Sequence, residues 1–340
     1  MIEIKVLVIT FLLILFFNYF LNKKKILVDK KYSYHKSFVS NNLTPISGGI
    51  IFFILSIIFL SFENSYTKFL LLFIFIIGLL SDLNYLVSPS KRIFFQVLTI
   101  VIFIYFNEVY VDSIRIVIID KLLENLFFSI IFTSFCLLVL LNGSNFIDGL
   151  NTILIGYYFI ISIICILIAI EFNLSISDLQ NFQIIMLTLS MLFIFNFFGK
   201  LFIGDGGAYL ISFLIGIFLV NLTNISKLIS PYFVACLLWY PAYENLCSIF
   251  RKKTLKKSVI KPDNRHLHHL IFLFYKKKIK LNSLFLNTVS GLTINIFNMI
   301  IFYNAYQNIS QTKNLIFLIF ISIIIYNFAY WRLNKLSKNL

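Results

Sequence analysis

Apolar residues run through this chain in eleven stretches, at about 3–21, 46–62, 67–81, 93–107, 124–141, 150–170, 183–199, 206–222, 228–249, 281–303 and 314–331. A membrane-crossing helix needs about 20 mostly apolar residues, and each stretch is long enough for one with modest adjustment of its ends. Between them lie short segments rich in charge, Asn, Gly and Pro. The first stretch runs straight into lysines at 23–25 without a small-residue cleavage site, which predicts a retained helix and not a removed signal peptide. The expected fold class is an all-α polytopic membrane protein of about eleven transmembrane helices, forming one integral-membrane domain over 1–340.

Composition agrees. Sixty per cent of the residues are hydrophobic and 13% are charged, and the mean hydropathy is +0.93. A soluble domain of this size could not bury that much apolar surface.

Charge orients the bundle. With the N-terminus outside, the inner segments are 22–45, 82–92, 142–149, 200–205, 250–280 and the tail 332–340, and they hold 23 of the 29 lysines and arginines. The positive-inside rule places them, and the C-terminus, in the cytoplasm. The net charge of +15 is mostly this topological signal, with a secondary pull on anionic lipid heads or substrates, so no nucleic-acid partner is needed to explain it.

The acids divide. Eight of fourteen lie in or next to outer segments, whereas Asp29, Asp82, Asp148, Asp205, Glu244 and Asp263 lie in or beside inner ones. Acids at span ends are costly unless paired, hydrated or bound to a cation. A phosphate-bearing substrate would need a cation between itself and these carboxylates, and magnesium, with its oxygen ligands, suits that place.

Each inner loop has a plain reading beside a chemical one. In "HKSFVSNNLTPISGGI" (35–50), Thr44 and Pro45 fit an ordinary helix start, and Gly48-Gly49 fit close helix packing. In "GLLSDLNYLVSPSKRIFFQ" (78–96), Asp82 stands at the inner mouth of a span, with Lys91 and Arg92 near enough for a salt bridge in a hydrated loop. "NGSNFIDGLNT" (142–152) gathers Asn142, Asn145, Asp148 and Asn151, either as a turn or as a helix start that meets an anion or a base. In "NFFGKLFIGDGGAYL" (196–210), glycines surround Asp205, Lys200 can meet a phosphate and Phe202 can stack on a ring. The GK[ST] ending of a Walker A loop is absent.

Three of the four histidines, His266, His268 and His269, fall in "PDNRHLHHLIF" (262–272) beside Arg265. They suit phosphate binding or proton transfer. Zinc is disfavoured, because there is no HExxH arrangement and no cysteine nearby. Cys136, Cys165, Cys236 and Cys247 are scattered through the spans as small apolar fillers.

From about residue 29 to 275 the ordered set resembles the polyprenyl-phosphate N-acetylhexosamine-1-phosphate transferases, glycosyltransferase family 4, whose superfamily includes phospho-N-acetylmuramoyl-pentapeptide transferase. "SDLNYLVSP" resembles the family's Asp-Asp motif, "NGSNFIDGLN" its Asn-rich DG motif, "FIGDGG" its F-x-GD-x-G motif and "RHLHH" its histidine motif. "WYPAYENLCSIFRK" resembles the segment entering its last large loop.

The resemblance implies transfer of a sugar 1-phosphate from a UDP-N-acetylhexosamine to polyprenyl (undecaprenyl) phosphate, with release of UMP. This would take place at the inner face of a bacterial or archaeal cytoplasmic membrane and would prime O-antigen, capsule or a similar glycan. It implies Mg²⁺, or Mn²⁺, on Asp205, with Asp82 a second candidate ligand and the group that activates or positions the lipid phosphate. Asn142, Asn145, Asp148, Gly149, Leu150, Asn151, Asn196, Lys200, Phe202 and Arg265 would bind substrate, Phe202 facing the uracil. His266, His268 and His269 would hold phosphate oxygens. Membrane lipids are expected partners, and a homodimer is the candidate assembly.

The chain departs from the pattern at Ser81, in place of the first acid of the Asp-Asp pair, at Asn151, in place of the last acid of the DG motif, and at Ala208. Ser81 cannot ionise and is expected to be dispensable. Two readings compete: the peptide-bearing muramoyl substrate of the superfamily, and a transporter or flippase, which would place its acids near the bilayer midplane on broken helices.

Overall fold

The computed structural model describes residues 2–28, 44–62, 64–254 and 266–338. Their regular structure is helical, apart from one isolated bridge between Val28 and Pro45. In chain order the helices are α1 (Ile2–Lys24), α2 (Gly48–Phe59), α3 (Ser65–Asp82), α4 (Pro89–Asn107), α5 (Val117–Leu123), α6 (Leu126–Ile147) and α7 (Ile153–Glu171). They continue with α8 (Ile176–Phe197), α9 (Gly204–Ile225), α10 (Pro231–Thr254), α11 (Leu267–Lys278), α12 (Ser283–Gln307) and α13 (Thr312–Lys338).

Every apolar stretch read from the sequence is a helix. Eight of them, α1, α4, α6, α7, α8, α9, α12 and α13, are long and apolar enough to cross a membrane, and α2 is a shorter apolar helix. The chain is a multi-pass membrane protein. Two helices fall outside the expected spans: α5, a two-turn segment between α4 and α6, and α11, which carries His268 and His269. Both are short, and their apolar residues are mixed with charge, so a search for spans passes over them.

Several inner boundaries move. Residues 142–147, expected in a loop, are the last turns of α6, and only 148–152 turn. Thr44 and Pro45 do not start α2. The Thr44 hydroxyl donates to the Gly199 carbonyl (3.2 Å), and the Pro45 carbonyl accepts from the Phe202 amide (2.9 Å). The helix begins only at Gly48, whose own amide donates to the Phe202 carbonyl (3.0 Å). The stretch before α2 is therefore paired with the stretch before α9, and its polar backbone is satisfied there instead of by a cap.

The bundle is organised around α9, nearly all of whose residues from Gly204 to Leu222 are buried. Helices α2 and α3 reach its first turn because neither side carries a Cβ. A methyl on Gly78 of α3 would overlap the Gly206 backbone, and one on Gly49 of α2 would lie 2.5 Å from the Gly207 amide nitrogen. Small residues at helix contacts are the usual means of close packing in a membrane. Helix α10 contains Pro241, which cannot bond the carbonyl four residues back. That carbonyl, of Leu237, instead accepts from the Tyr157 hydroxyl (2.7 Å).

Hydrogen bonds sort the helix ends into two sets. At one end Asn18 of α1 meets Lys200, Asp82 meets Asp205, Thr152 meets Asn196, and Asn151 meets Asn287. At the other, Ser61 meets Asn181, Asn224 meets Tyr110, and Arg115 joins the carbonyls of Lys227 and Ser310. The motif residues belong to the first set.

The lysine bias predicts that this end faces the cytoplasm. In a cysteine-free background, Ser90→Cys at that end should react with an impermeant maleimide only in inverted vesicles. Ser177→Cys at the opposite end should react in intact cells; the reverse labelling would refute the orientation.

Candidate active site

The site grows from the junction of α3 and α9. The first amides of a helix have no partner within it and form its positive end. Asp82 is the last residue of α3 and supplies what α9 lacks: one carboxylate oxygen accepts from the Asp205 amide (2.9 Å), the other from the Gly206 amide (3.1 Å). Gly204 makes this possible. Its φ is +74°, and a Cβ there would stand 2.6 Å from the Asp82 carboxylate. A negative side chain at the negative end of α3 is unfavourable by itself. It is stabilised by the antiparallel neighbour's positive end.

With its backbone so held, Asp205 extends its side chain toward α4. Its Oδ2 accepts from the Ser81 hydroxyl (2.6 Å) and from the Arg92 guanidinium (3.1 Å), which also donates to the Ser81 oxygen (2.7 Å). The pair is about one-quarter exposed on each side, so solvent screening leaves it little net weight in stability. Its interest is chemical: a guanidinium, a hydroxyl and two carboxylates meet at the start of α9. The salt bridge expected within the second loop is thus made across the bundle, and Ser81, read as dispensable, bridges the ion pair.

The DG segment and the histidines form a second group. Asp148 ends α6, with its amide on the Ser144 carbonyl, and Gly149 lies against the imidazoles. A Cβ on Gly149 would come within 2.5 Å of His268 Nε2. The rings of His266 and His268 stack in parallel (5.4 Å between centroids, 5°), His269 is 4.2 Å from His268, and Phe146 lies 5.5 Å from His266. The Nδ1 of His266 is 2.8 Å from the buried carboxylate of Glu244.

A third group fixes the turn into α7. Thr152 has φ +71°, and its amide donates to the Asn196 side chain (2.6 Å), whose own amide reaches the Leu201 carbonyl (2.9 Å). Asn287 accepts from the Asn151 amide (2.7 Å), and Asn295 donates to the Thr152 carbonyl (2.7 Å). The Asn151 side chain is buried, with neither polar atom hydrogen-bonded.

The remaining candidates are dispersed. Leu150 and Phe202 are buried, Asn145 is half-buried and Lys200 is exposed. Asn142 turns to Gln96 of α4 (3.0 Å). Arg265 lies outside the described residues. Sequence reasoning missed Arg92 as Asp205's partner, Glu244 as the histidine anchor, and Asn287 and Asn295. The last two had a signal: with Asn298 they recur on one face of a helix long and apolar enough to cross a membrane.

Among the described residues no group of three or more His, Cys, Asp or Glu side chains could hold a metal. Magnesium, however, commonly takes one or two carboxylates and completes its shell with substrate phosphates and water. Oδ1 of Asp205 would be the oxygen to meet such an ion, since its hydrogen bonds fall on Oδ2. Both oxygens of Asp82 hold amides.

Residues 65–223, from α3 through α9, match the model of glycosyl transferase family 4. Over that stretch the chain is similar to this family. The chain is also 27% identical over 235 residues to a phospho-N-acetylmuramoyl-pentapeptide-transferase of Dictyoglomus turgidum (strain DSM 6724 / Z-1310), an alignment covering 65% of this chain and 73% of that protein. The family match takes in Ser81, Asp82, Arg92, the DG segment and Asp205, and stops short of Glu244 and the histidines.

Asp82→Asn keeps one acceptor and loses the other, so one α9 amide should go unpaired at a cost of about 1–2 kcal/mol. Thermal unfolding in detergent should show a lower midpoint for Asp82→Asn and an unchanged one for the exposed outer variant Asp112→Asn. Equal midpoints would mean that Asp82 does not hold α9.

Proposed function

We propose that this chain transfers an N-acetylhexosamine 1-phosphate from a UDP-sugar to polyprenyl phosphate, releasing UMP and leaving a lipid-linked diphospho-sugar. The observation that carries this reading is the meeting of Asp82, Asp205, Arg92 and Ser81 at the start of α9, within the stretch that matches the glycosyl transferase family.

In the reaction an oxygen of the lipid phosphate bonds to the sugar-bearing phosphorus, and the bond from that phosphorus to the UMP oxygen breaks, UMP leaving with the electron pair. Both reactants are anions, so catalysis consists mainly of positioning and charge neutralisation. Arg92 has the planar donor set that suits phosphate oxygens, and its bond to Asp205 keeps it at the start of α9. Asp82 fixes the α9 amides and thereby the position of Asp205. The histidines, packed on Gly149, supply ring nitrogens for phosphate oxygens. Asp205 would hold magnesium, or manganese, and the bound ion would supply positive charge between the carboxylate and the phosphates.

A second reading comes from the relative's name, in which the donor carries a muramoyl-pentapeptide. The site residues suit a nucleoside diphosphate in either case. Against a transporter, Asp82, Asp148 and Asp205 stand at helix ends on one side of the bundle, not at broken helices midway.

The test is UMP release from protein in nanodiscs containing polyprenyl phosphate, with a panel of UDP-N-acetylhexosamines and UDP-N-acetylmuramoyl-pentapeptide as donors. One or more of the N-acetylhexosamines should be used; use of the pentapeptide donor alone would favour the second reading, and no release from any donor would refute both. EDTA should abolish the activity, and Mg²⁺ or Mn²⁺ should restore it. Asp205→Asn should lower the rate roughly 10²-fold, the scale of a lost electrostatic contact in a transition state.

A further inference from the structure

We infer that Glu244 is a positioning residue for the histidine cluster and acts through His266; the inference rests on the transfer reaction proposed above. Glu244 lies on α10 with its side chain fully buried, and both oxygens are used. Oε1 is 2.8 Å from His266 Nδ1, and Oε2 accepts from the Tyr326 hydroxyl of α13 at 2.6 Å. A carboxylate inside an apolar bundle is costly unless it is paired and hydrogen-bonded. Here it joins α10, the residue that opens α11, and α13.

The chemistry fixes the histidine. A carboxylate only accepts, so the ring nitrogen facing it, Nδ1, is the one that carries hydrogen. Nε2 is then left for a ligand: an acceptor when the ring is neutral, and a donor to a phosphate oxygen when it is protonated. The ring cannot easily swing away, since Phe146 and His268 pack against it. His268 in turn lies against Gly149. Glu244 therefore sets the orientation of His266 directly, and the fit of the cluster on the DG turn through it. Partners of this kind are already known to orient liganding histidines at metal sites, where their loss costs roughly 10- to 100-fold in function.

A double-mutant cycle separates positioning from mere support. Glu244→Gln, His266→Gln and the double variant are purified in nanodiscs and compared for kcat, KM and thermal midpoint. Glu244→Gln should lower kcat roughly 10- to 100-fold, by analogy with those metal-site histidines. In the His266→Gln background it should lower kcat no further, because both changes remove one function. Glu244→Asp should recover part of the loss. Losses that multiply in the double variant would overturn the inference.

A second measurement needs no activity. The chain has four histidines, so ¹⁵N-histidine spectra of the full protein are tractable, and the His266 signals are those missing from His266→Gln. A proton on Nδ1 supports the positioning role, and a bare Nδ1 overturns it. If the wild type transfers nothing to polyprenyl phosphate, the proposed function fails while the spectra still decide how Glu244 and His266 are joined.

Discussion

The arrangement depends on two hydrogen bonds from the start of α9 to the carboxylate of Asp82. Helix α9 is the buried axis of the bundle, and its first amides open where three other elements converge. An unpaired amide in such a place costs about 1–3 kcal/mol. Asp82 removes that cost for two amides at once and joins the end of α3 to the beginning of α9. The rest of the site follows from this join. Gly204 must take a left-handed φ to let the carboxylate in, and the glycines of α2 and α3 must lack side chains for the helices to come this close. Asp205 is then left pointing at Arg92 and Ser81.

The same device recurs elsewhere in the bundle. Backbone that departs from helix inside a membrane protein is tolerated only where other groups satisfy it. The turn before α7 is irregular, and Asn196, Asn287 and Asn295 bond its amides and carbonyls from α8 and α12. His266, which opens α11, is held by Glu244 of α10, itself bonded by Tyr326 of α13. In each case a polar side chain within an apolar helix has a partner in a loop that carries candidate chemistry. Asn196, Asn287, Asn295 and Glu244, buried in these helices, are thus supports of the motif loops.

This division explains what the sequence could reveal. The apolar runs told where the long helices lie, because the apolar length a membrane demands is a local property visible in one dimension. The gathering of Asp82, Asp148, Asp205 and the histidines at one end of the bundle was also legible, since alternate crossings of a membrane place every second loop on the same side. Pairings between distant positions were not. Asp82 and the amide it holds are 123 residues apart, and Arg92 and Asp205 are 113 apart. No local pattern distinguishes an arginine that bonds its own loop from one that crosses to another helix. Thr44 and Pro45 misled for a related reason: they have the chemistry of a helix start, but the facing stretch before α9 had already taken their polar groups. Short helices such as α5 and α11 lack the apolar length by which a span is recognised.

Ser81 shows how a departure from a motif can be read physically. Its hydroxyl is 2.6 Å from Asp205 Oδ2 and 2.7 Å from the Arg92 guanidinium. A carboxylate at position 81 would bring a second negative charge to the same oxygen, and two carboxylates that close cannot both ionise without a cation between them. The hydroxyl needs none. It donates to the carboxylate, accepts from the guanidinium and leaves Oδ1 of Asp205 open. The hydroxyl adds no charge beside the Asp205–Arg92 pair, where an acid at 81 would add one. Serine here therefore keeps Arg92 in place beside Asp205 without a further carboxylate to neutralise.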